Sequence, residues 1–300
     1  MNRTMVILGI SLLCAASKTS SLGQEPQATN KVSPTVPQSI DETLLFFPSK
    51  FPDGDWAPSD LKFEDVWFAA EDGTKLHGWY CPVEDPRAVI LLAHGNAGHV
   101  AARADWLRYL QRELKVSVFI FDYRGYGRSE GTPTVAGIIQ DAIAARAKLG
   151  ALSSRKDSEI VLMGESLGGA VVVQLAGKTA PRGLVLQSTF SSLRDVADVH
   201  FPNLSWLVPP EKLNSSVEIG KYTGPLLQSH GTNDQTIPFS LGQRVFEKSA
   251  DGAKEFVAIQ NADHNDWMTE TYLKRLDQFI SRVGAKYPKR GLTLSGESRK

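Results

Sequence analysis

Two serines stand between glycines in the arrangement Gly-x-Ser-x-Gly, a spacing that can present a serine hydroxyl as a nucleophile. They are Ser129, within 127–131, and Ser166, within 164–168. Such a serine stands where a strand turns directly into a helix, and small flanking residues let the backbone pass closely. Ser166 follows an apolar run and precedes a helical pattern, whereas Ser129 lies in a glycine-rich loop. We therefore expect Ser166 to be the nucleophile and Ser129 to be structural.

A serine hydroxyl is a poor nucleophile unless a base takes its proton, and an acid must orient that base. In folds that carry this strand-to-helix turn, the partners follow in the order serine, acid, histidine. His264 comes after the last apolar run that predicts a strand, and Asp234 comes shortly after the preceding one. We predict that Asp234 is the acid and His264 the base, each on its own strand-end loop.

Three nearby residues are alternatives for these roles. Asp263 and Asp266 are carboxylates beside His264, but such close sequence neighbours are poorly placed to line up behind its ring. His230 also follows Ser166, but it ends a predicted strand, so we expect it to pack there.

Acyl transfer also needs backbone N–H groups directed at the oxygen that becomes charged. The residue after the nucleophile supplies one, which is Leu167 at the start of the predicted helix. The loop His94-Gly-Asn-Ala-Gly98 follows a buried apolar run and contains Asn96. We predict an oxyanion hole formed by Asn96 and Leu167.

The elements that must position these residues alternate between strand and helix. Helical patterns cover 100–113, 133–149, 167–178, 239–249 and 266–283, and apolar runs that predict strands cover 63–69, 76–80, 88–93, 116–121, 160–163, 183–186, 225–228 and 255–259. The first two strands form a hairpin around the turn at Asp72-Gly73. This alternation predicts an α/β fold with a mostly parallel twisted sheet and helices on both faces.

A proline-containing segment, 191–222, interrupts the alternation and is long enough to form a short lid. In and beside it stand large apolar side chains, which would line an acyl site or would only cover the core: Phe190, Phe201, Leu204, Trp206, Leu207 and Val208.

Composition excludes several classes of protein. The 300 residues carry 33 Lys and Arg against 33 Asp and Glu, so the basic excess typical of nucleic-acid binders is missing. We expect no metal site, because the sequence has only two cysteines and no His-Glu-x-x-His motif. It also has no phosphate-binding loop motif, and we expect no cofactor.

The N-terminal sequence reads as an export signal. Arg3 precedes an apolar run, 5–16, that is shorter than the roughly 20 residues a membrane helix needs. We predict a signal peptide over 1–23, cut between 16 and 23, in an exported protein. An uncleaved anchor or a lipidated Cys14 is an alternative, and either would be the protein's one membrane contact. The polar stretch 24–41 predicts a flexible tether, 42–285 the folded domain and 286–300 a polar tail.

The ordered set of motifs resembles the α/β-hydrolase superfamily, in the branch of the Bem46, ABHD13 and ABHD17 types. The segments that carry the resemblance are Asp72-Gly73, 94–98, 122–131, 164–169, 230–234 and 264–266. The resemblance implies the same roles for Ser166, Asp234, His264, Asn96 and Leu167. It departs at Asp263, where relatives usually have glycine.

We expect a serine hydrolase that cleaves a carboxylic ester or thioester through an acyl-enzyme. The substrate would be a small molecule or an acylated compound. A peptidase or amidase, or an acyltransferase, would use the same triad. A binding module without turnover is the alternative from a different class of protein.

Overall fold

The computed structural model describes residues 38–284. The predicted signal peptide, most of the tether, and the tail lie outside these residues. Within them the strands, in chain order, are β1 (Phe47–Pro48), β2 (Glu64–Ala69), β3 (Lys75–Cys81), β4 (Val89–Ala93), β5 (Ala97–Gly98), β6 (Ser117–Phe121), β7 (Val161–Glu165), β8 (Gly183–Gln187), β9 (Leu226–Gly231) and β10 (Lys254–Ile259). The helices are α1 (Ile40–Leu45), α2 (Ala104–Arg112), α3 (Val135–Ser153), α4 (Leu167–Lys178), α5 (Leu193–His200), α6 (Ser215–Glu218), α7 (Phe239–Lys248) and α8 (Glu270–Gly284).

Eight of these strands form one sheet in the order β10-β9-β8-β7-β4-β6-β3-β2. The hairpin strands β2 and β3 pair antiparallel, and β3 also pairs antiparallel with β6. The other six strands, β10, β9, β8, β7, β4 and β6, run parallel to one another. The predicted mostly parallel sheet with an antiparallel hairpin is therefore confirmed. Because parallel strands have their carboxyl ends at one edge, the loops after β4, β7, β8, β9 and β10 meet there.

The central strands are apolar on both faces because helices cover both. Along β4, Leu91 packs into the core beneath α3 and α4, whereas Ile90 and Leu92 pack into the core beneath α2 and α8. Alternate side chains of a strand point to opposite faces, so a continuous apolar run serves two cores. This explains why β4, β6, β7 and β8 are buried along their whole length.

The last two residues of the predicted tether, 24–41, belong to a helix. Helix α1 starts at Ile40, and its first turn is anchored by two acidic side chains. Asp41 pairs with Lys212 at 2.8 Å, and Glu42 accepts the backbone N–H of Val135 at 2.9 Å. The polar composition of this stretch suggested disorder, but its charges have distant partners that no local pattern reveals.

The segment 191–222 contains short helices rather than an open loop. Helices α5 and α6 lie in it, joined through a 3₁₀ turn at Ser205–Leu207. The side chain of Ser192 caps α5 by accepting the backbone N–H of Asp195 at 3.1 Å. Within residues 38–284, no helix combines the length and apolar character needed to span a membrane.

Candidate active site

Ser166 stands at the junction between β7 and α4, as its motif predicts. Its backbone has φ 52° and ψ −115°, a conformation that is costly for a residue with a side chain. The two flanking glycines are required by close backbone contacts. A Cβ on Gly164 would overlap the carbonyl of Gly168, and a Cβ on Gly168 would overlap that of Ala93. The Gly-x-Ser-x-Gly spacing is thus a packing requirement of this turn.

Hydrogen bonds to the end of β8 and the residues after it hold the strained residue. The N–H of Ser166 donates to the carbonyl of Gln187 at 2.8 Å, and its carbonyl accepts the hydroxyl of Thr189 at 2.9 Å. Neither bond uses the Ser166 hydroxyl, which lies at the wall of a cavity. The backbone is therefore fixed while the side-chain oxygen remains available for chemistry.

Asp234 and His264 form a close pair. The loop after β9 carries Asp234 and the loop after β10 carries His264, and the imidazole Nδ1 lies 2.7 Å from the carboxylate Oδ2. Because a carboxylate oxygen accepts, Nδ1 carries the proton and Nε2 is left as the basic nitrogen. The other oxygen, Oδ1, accepts the backbone N–H groups of Thr236 at 2.9 Å and Ile237 at 2.7 Å.

These bonds keep the Asp234 carboxylate ionised although it is buried. Burial alone would raise the pKa of Asp234. Hydrogen bonds from His230, His264 and the Ile237 backbone outweigh burial and hold the pKa well below its ordinary value. The site therefore contains a fixed negative charge beside Nδ1 of the His264 ring.

The serine and the histidine lie at the same edge of the sheet, after β7 and after β10, and the strands β8 and β9 lie between them. Ser188 links them, because it directly follows Gln187, which binds the Ser166 backbone, and its own hydroxyl donates to the carbonyl of His264 at 3.2 Å. Among residues 38–284, no hydrogen bond joins the Ser166 hydroxyl to the His264 ring. In the absence of substrate, such bonds are often long and tighten only in the complex.

Asn96 and Leu167 lie at the same cavity wall as Ser166. The side chain of Asn96 is already used, since its Nδ2 donates to the carbonyl of Leu45 at 2.5 Å and its Oδ1 accepts the hydroxyl of Tyr126 at 2.8 Å. These bonds hold the side chain against Leu45 and Tyr126, and the backbone N–H of Asn96 is the predicted oxyanion donor. Leu167 is the first residue of α4, where backbone N–H groups lack partners within the helix.

The residues set aside by sequence analysis have other partners. The hydroxyl of Ser129 donates to the carbonyl of Asp122 at 2.7 Å and accepts the N–H of His77 at 2.9 Å, so Ser129 braces a loop, as expected. Asp263 accepts the N–H of His264 at 2.7 Å and Asp266 accepts the N–H of Asp263 at 3.0 Å. These two carboxylates shape the loop after β10 and make no bond to the imidazole ring.

Two features beside the site were missed. A bidentate ion pair joins Arg103 to Glu165, the residue before Ser166, at 2.9 and 3.0 Å. The same guanidinium donates to the carbonyl of Ala97 in the Asn96 loop at 3.4 Å, so it connects that loop to the end of β7. His230 contacts the carboxylate of Asp234 at 3.2 Å. Local sequence carries no signal for contacts that depend on the sheet order.

A cavity of about 440 Å³ opens beside Ser166. Its wall combines the N-terminal residues Leu45 and Phe47 with the segment 191–222. Five of the six predicted apolar residues line it, namely Phe190, Phe201, Leu204, Leu207 and Val208. Trp206 does not line it, and its side chain is 70% exposed. Within the described part of the chain, no cluster of His, Cys, Asp or Glu could hold a metal ion.

Comparison with known proteins agrees with this architecture. Residues 84–219 match the family model Hydrolase_4, described as serine aminopeptidase S33. An uncharacterized protein of Mycobacterium tuberculosis is 36% identical over 235 residues, which are 76% of this chain and 82% of that protein. Protein bem46 of Schizosaccharomyces pombe is 30% identical over 263 residues, which are 82% of this chain and 88% of that protein.

Solved structures share the fold at lower identity. The esterase Pf2001 of Pyrococcus furiosus superposes with a TM-score of 0.66 at 22% identity, covering 79% of this chain and 99% of that one. The order of strands, the strand-to-helix turn at Ser166 and the relatives at 30% identity or more lead to the same assignment. The chain belongs to the α/β-hydrolase superfamily, as a hydrolase of the group that contains Bem46.

Proposed function

We propose that the protein is a serine hydrolase that cleaves a carboxylic ester or thioester by way of an acyl-enzyme. The observation that carries the proposal is the apolar cavity that opens on Ser166, with the Asp234–His264 pair in the loops after β9 and β10 at the same edge of the sheet. A nucleophile, a base with its orienting acid, and an apolar binding space are the parts that acyl transfer requires.

The reaction runs in two halves. The Ser166 hydroxyl attacks the acyl carbonyl while His264 Nε2 takes its proton, and Asp234 stabilises the resulting imidazolium. The oxyanion of the tetrahedral intermediate accepts backbone N–H groups of Asn96 and Leu167. His264 then gives the proton to the leaving group, and the acyl group remains on Ser166. Water then attacks the acyl-enzyme while His264 takes its proton; the bond between the acyl group and Ser166 breaks, the acid leaves, and His264 returns the proton to the Ser166 oxygen.

The cavity favours an uncharged acyl group. Most of its lining is aliphatic or aromatic, and among the described residues that line it only Asp41 is acidic. That carboxylate already has Lys212 as its partner at 2.8 Å, and the same ammonium lies 3.5 Å from Glu42. An apolar chain that enters this space loses contact with water at no electrostatic cost.

Amide cleavage is the second candidate, because the matching family model is described as a serine aminopeptidase. An aminopeptidase must bind the free ammonium group of its substrate near the nucleophile. The pairing of Asp41 with Lys212 argues against such a subsite in this cavity. We therefore place esters and thioesters before aminoacyl amides.

The test is hydrolysis by the purified protein of three substrate types. They are p-nitrophenyl esters of increasing acyl length, an acyl thioester, and an aminoacyl p-nitroanilide. Ser166→Ala should lower kcat by roughly 10³-fold or more for each compound that is cleaved. Ser129→Ala is the matched control, because it removes the serine of the other Gly-x-Ser-x-Gly segment. A folded Ser166→Ala protein with near wild-type turnover would refute the proposed nucleophile, and preference for the anilide would refute the substrate class.

A further inference from the structure

His230 is a fully buried histidine near the end of β9. Its ring packs edge-on against Phe239, with the ring centroids 5.9 Å apart. On another side lies Gly242 of α7, where an added Cβ would overlap the ring at Nδ1. The surrounding structure thus leaves the imidazole little freedom to rotate.

Hydrogen bonding determines which ring nitrogen carries the proton. Nε2 lies 2.8 Å from the carbonyl oxygen of Ile237 and 3.2 Å from Oδ2 of Asp234. Both oxygens only accept, so Nε2 must be the donor. Among the described residues, Nδ1 has no hydrogen-bond partner. These contacts therefore require the tautomer with the proton on Nε2, and its N–H is shared between the carbonyl and the carboxylate.

The carboxylate of Asp234 is consequently held by two imidazoles on one oxygen and two backbone N–H groups on the other. Without His230, Oδ2 would keep only the bond to His264. The turn from Asp234 to Ile237 would also lose the hydrogen bond that the Ile237 carbonyl accepts from His230. Both losses would let the carboxylate move relative to the ring that it orients.

We propose that His230 is a positioning residue that holds the carboxylate of Asp234 in line with His264. This inference rests on the proposed function, in which Asp234 is the acid. His230 does not touch substrate; it acts through Asp234. Because it also binds Ile237, which lines the cavity, it connects the position of the acid with the wall of the acyl site.

Gln228 is the matched control, because it is a buried polar residue of the same strand. It lies two residues earlier on β9, is fully buried, and donates from Nε2 to the carbonyl of Gly242 at 2.7 Å. It therefore ties the same strand to the same helix, but it makes no bond to Asp234. Replacing Gln228 should cost stability without disturbing the acid.

The experiment compares His230→Leu, His230→Gln, His230→Asn and Gln228→Leu in the full chain. The side-chain amide of glutamine reaches as far as Nε2, whereas that of asparagine reaches only as far as Nδ1. Loss of a hydrogen bond to a charged group predicts that His230→Leu lowers kcat roughly 10- to 100-fold with little change in KM. His230→Gln should recover most of this loss and His230→Asn should not.

A fall in kcat for Gln228→Leu as large as that for His230→Leu, at similar stability, would overturn the inference. So would equal activities of the glutamine and asparagine variants. If wild type shows no Ser166-dependent turnover, the proposed function fails, and a second readout then decides the inference. The proton that His264 shares with Asp234 gives a downfield NMR resonance, identified by its loss in His264→Ala. It should shift in His230→Leu and stay in place in Gln228→Leu; an unmoved resonance in both would contradict the role.

Discussion

Ser166 holds its position at a cost in backbone energy. Its φ of 52° and ψ of −115° lie outside the regions that residues with a Cβ prefer, whereas glycine adopts positive φ without steric penalty. The hydrogen bonds to Gln187 and Thr189 maintain this conformation. Conformational strain of this kind is typical of residues that a fold must hold for chemistry.

We therefore predict that Ser166→Gly is more stable than Ser166→Ala. Both variants lack the hydroxyl, but only glycine relieves the strain, and the difference should be about 1 kcal/mol in the free energy of unfolding. Urea unfolding of the two proteins measures it. A glycine variant no more stable than the alanine variant would show that the turn is not strained.

His94, which begins the Asn96 loop, predicts a pH dependence of stability. Its ring is buried, Nδ1 donates to the carbonyl of Gly95 at 2.7 Å, and burial lowers the pKa of His94 to about 4. In the unfolded chain a histidine titrates at about pH 6.5. Between these values the unfolded state binds the extra proton, so stability falls as the pH is lowered.

Acidification from about pH 7 to about pH 5 should therefore cost wild type about 2 kcal/mol more than it costs His94→Gln. Equilibrium unfolding of both proteins at the two pH values provides the measurement. Equal losses would mean that His94 is able to take up a proton in the folded protein.

At the scale of elements, residues of the segment 191–222 and of helix α1 line the same cavity. Helix α5 presents Val196 to the cavity, whereas Val199 on the same helix is 44% exposed and does not line it. These two valines separate the effect of filling the cavity from the effect of altering the helix.

Val196→Trp should reduce kcat/KM for octanoyl esters relative to acetyl esters by roughly tenfold or more, because the added ring occupies space that a longer chain needs. Val199→Trp should leave the ratio unchanged. The test compares the dependence of kcat/KM on acyl length in the two variants. If both variants show the same dependence, the cavity does not bind the acyl chain.

The sequence was sufficient to predict the alternating strands, because strands buried on both faces are continuous apolar runs. The position of Ser166 was also predictable, since the turn, its glycines and the following helix are local in sequence. The anchoring of α1 by Lys212 and the contact of His230 with Asp234 were not. Both depend on which distant elements the sheet brings together.

At the scale of the whole molecule, one buried guanidinium connects three elements. Arg124, in the loop after β6, binds Asp141 of α3 at 2.7 Å and Asp72 of the β2–β3 turn at 2.8 Å. Asp141 is fully buried and also accepts the N–H of Arg124 at 2.8 Å. The cluster ties the antiparallel edge of the sheet to the helical layer.

Asp141→Ala should lower the free energy of unfolding by about 3–5 kcal/mol, because it leaves a buried guanidinium without its main partner. Asp105→Ala is the control, since Asp105 is 91% exposed where it pairs with Arg108, and should cost less than about 1 kcal/mol. Denaturant unfolding compares the two. Similar small losses would show that the Arg124 cluster contributes little.

The central claim is that the fold activates Ser166 as a nucleophile. Intact-mass analysis after reaction with a fluorophosphonate, which phosphonylates activated serines, tests it most directly. We predict one adduct on wild type, mapped to the peptide that contains Ser166, none on Ser166→Ala, and much slower labelling of His264→Ala. A folded wild-type protein without an adduct, or equal labelling of Ser166→Ala, would contradict the claim.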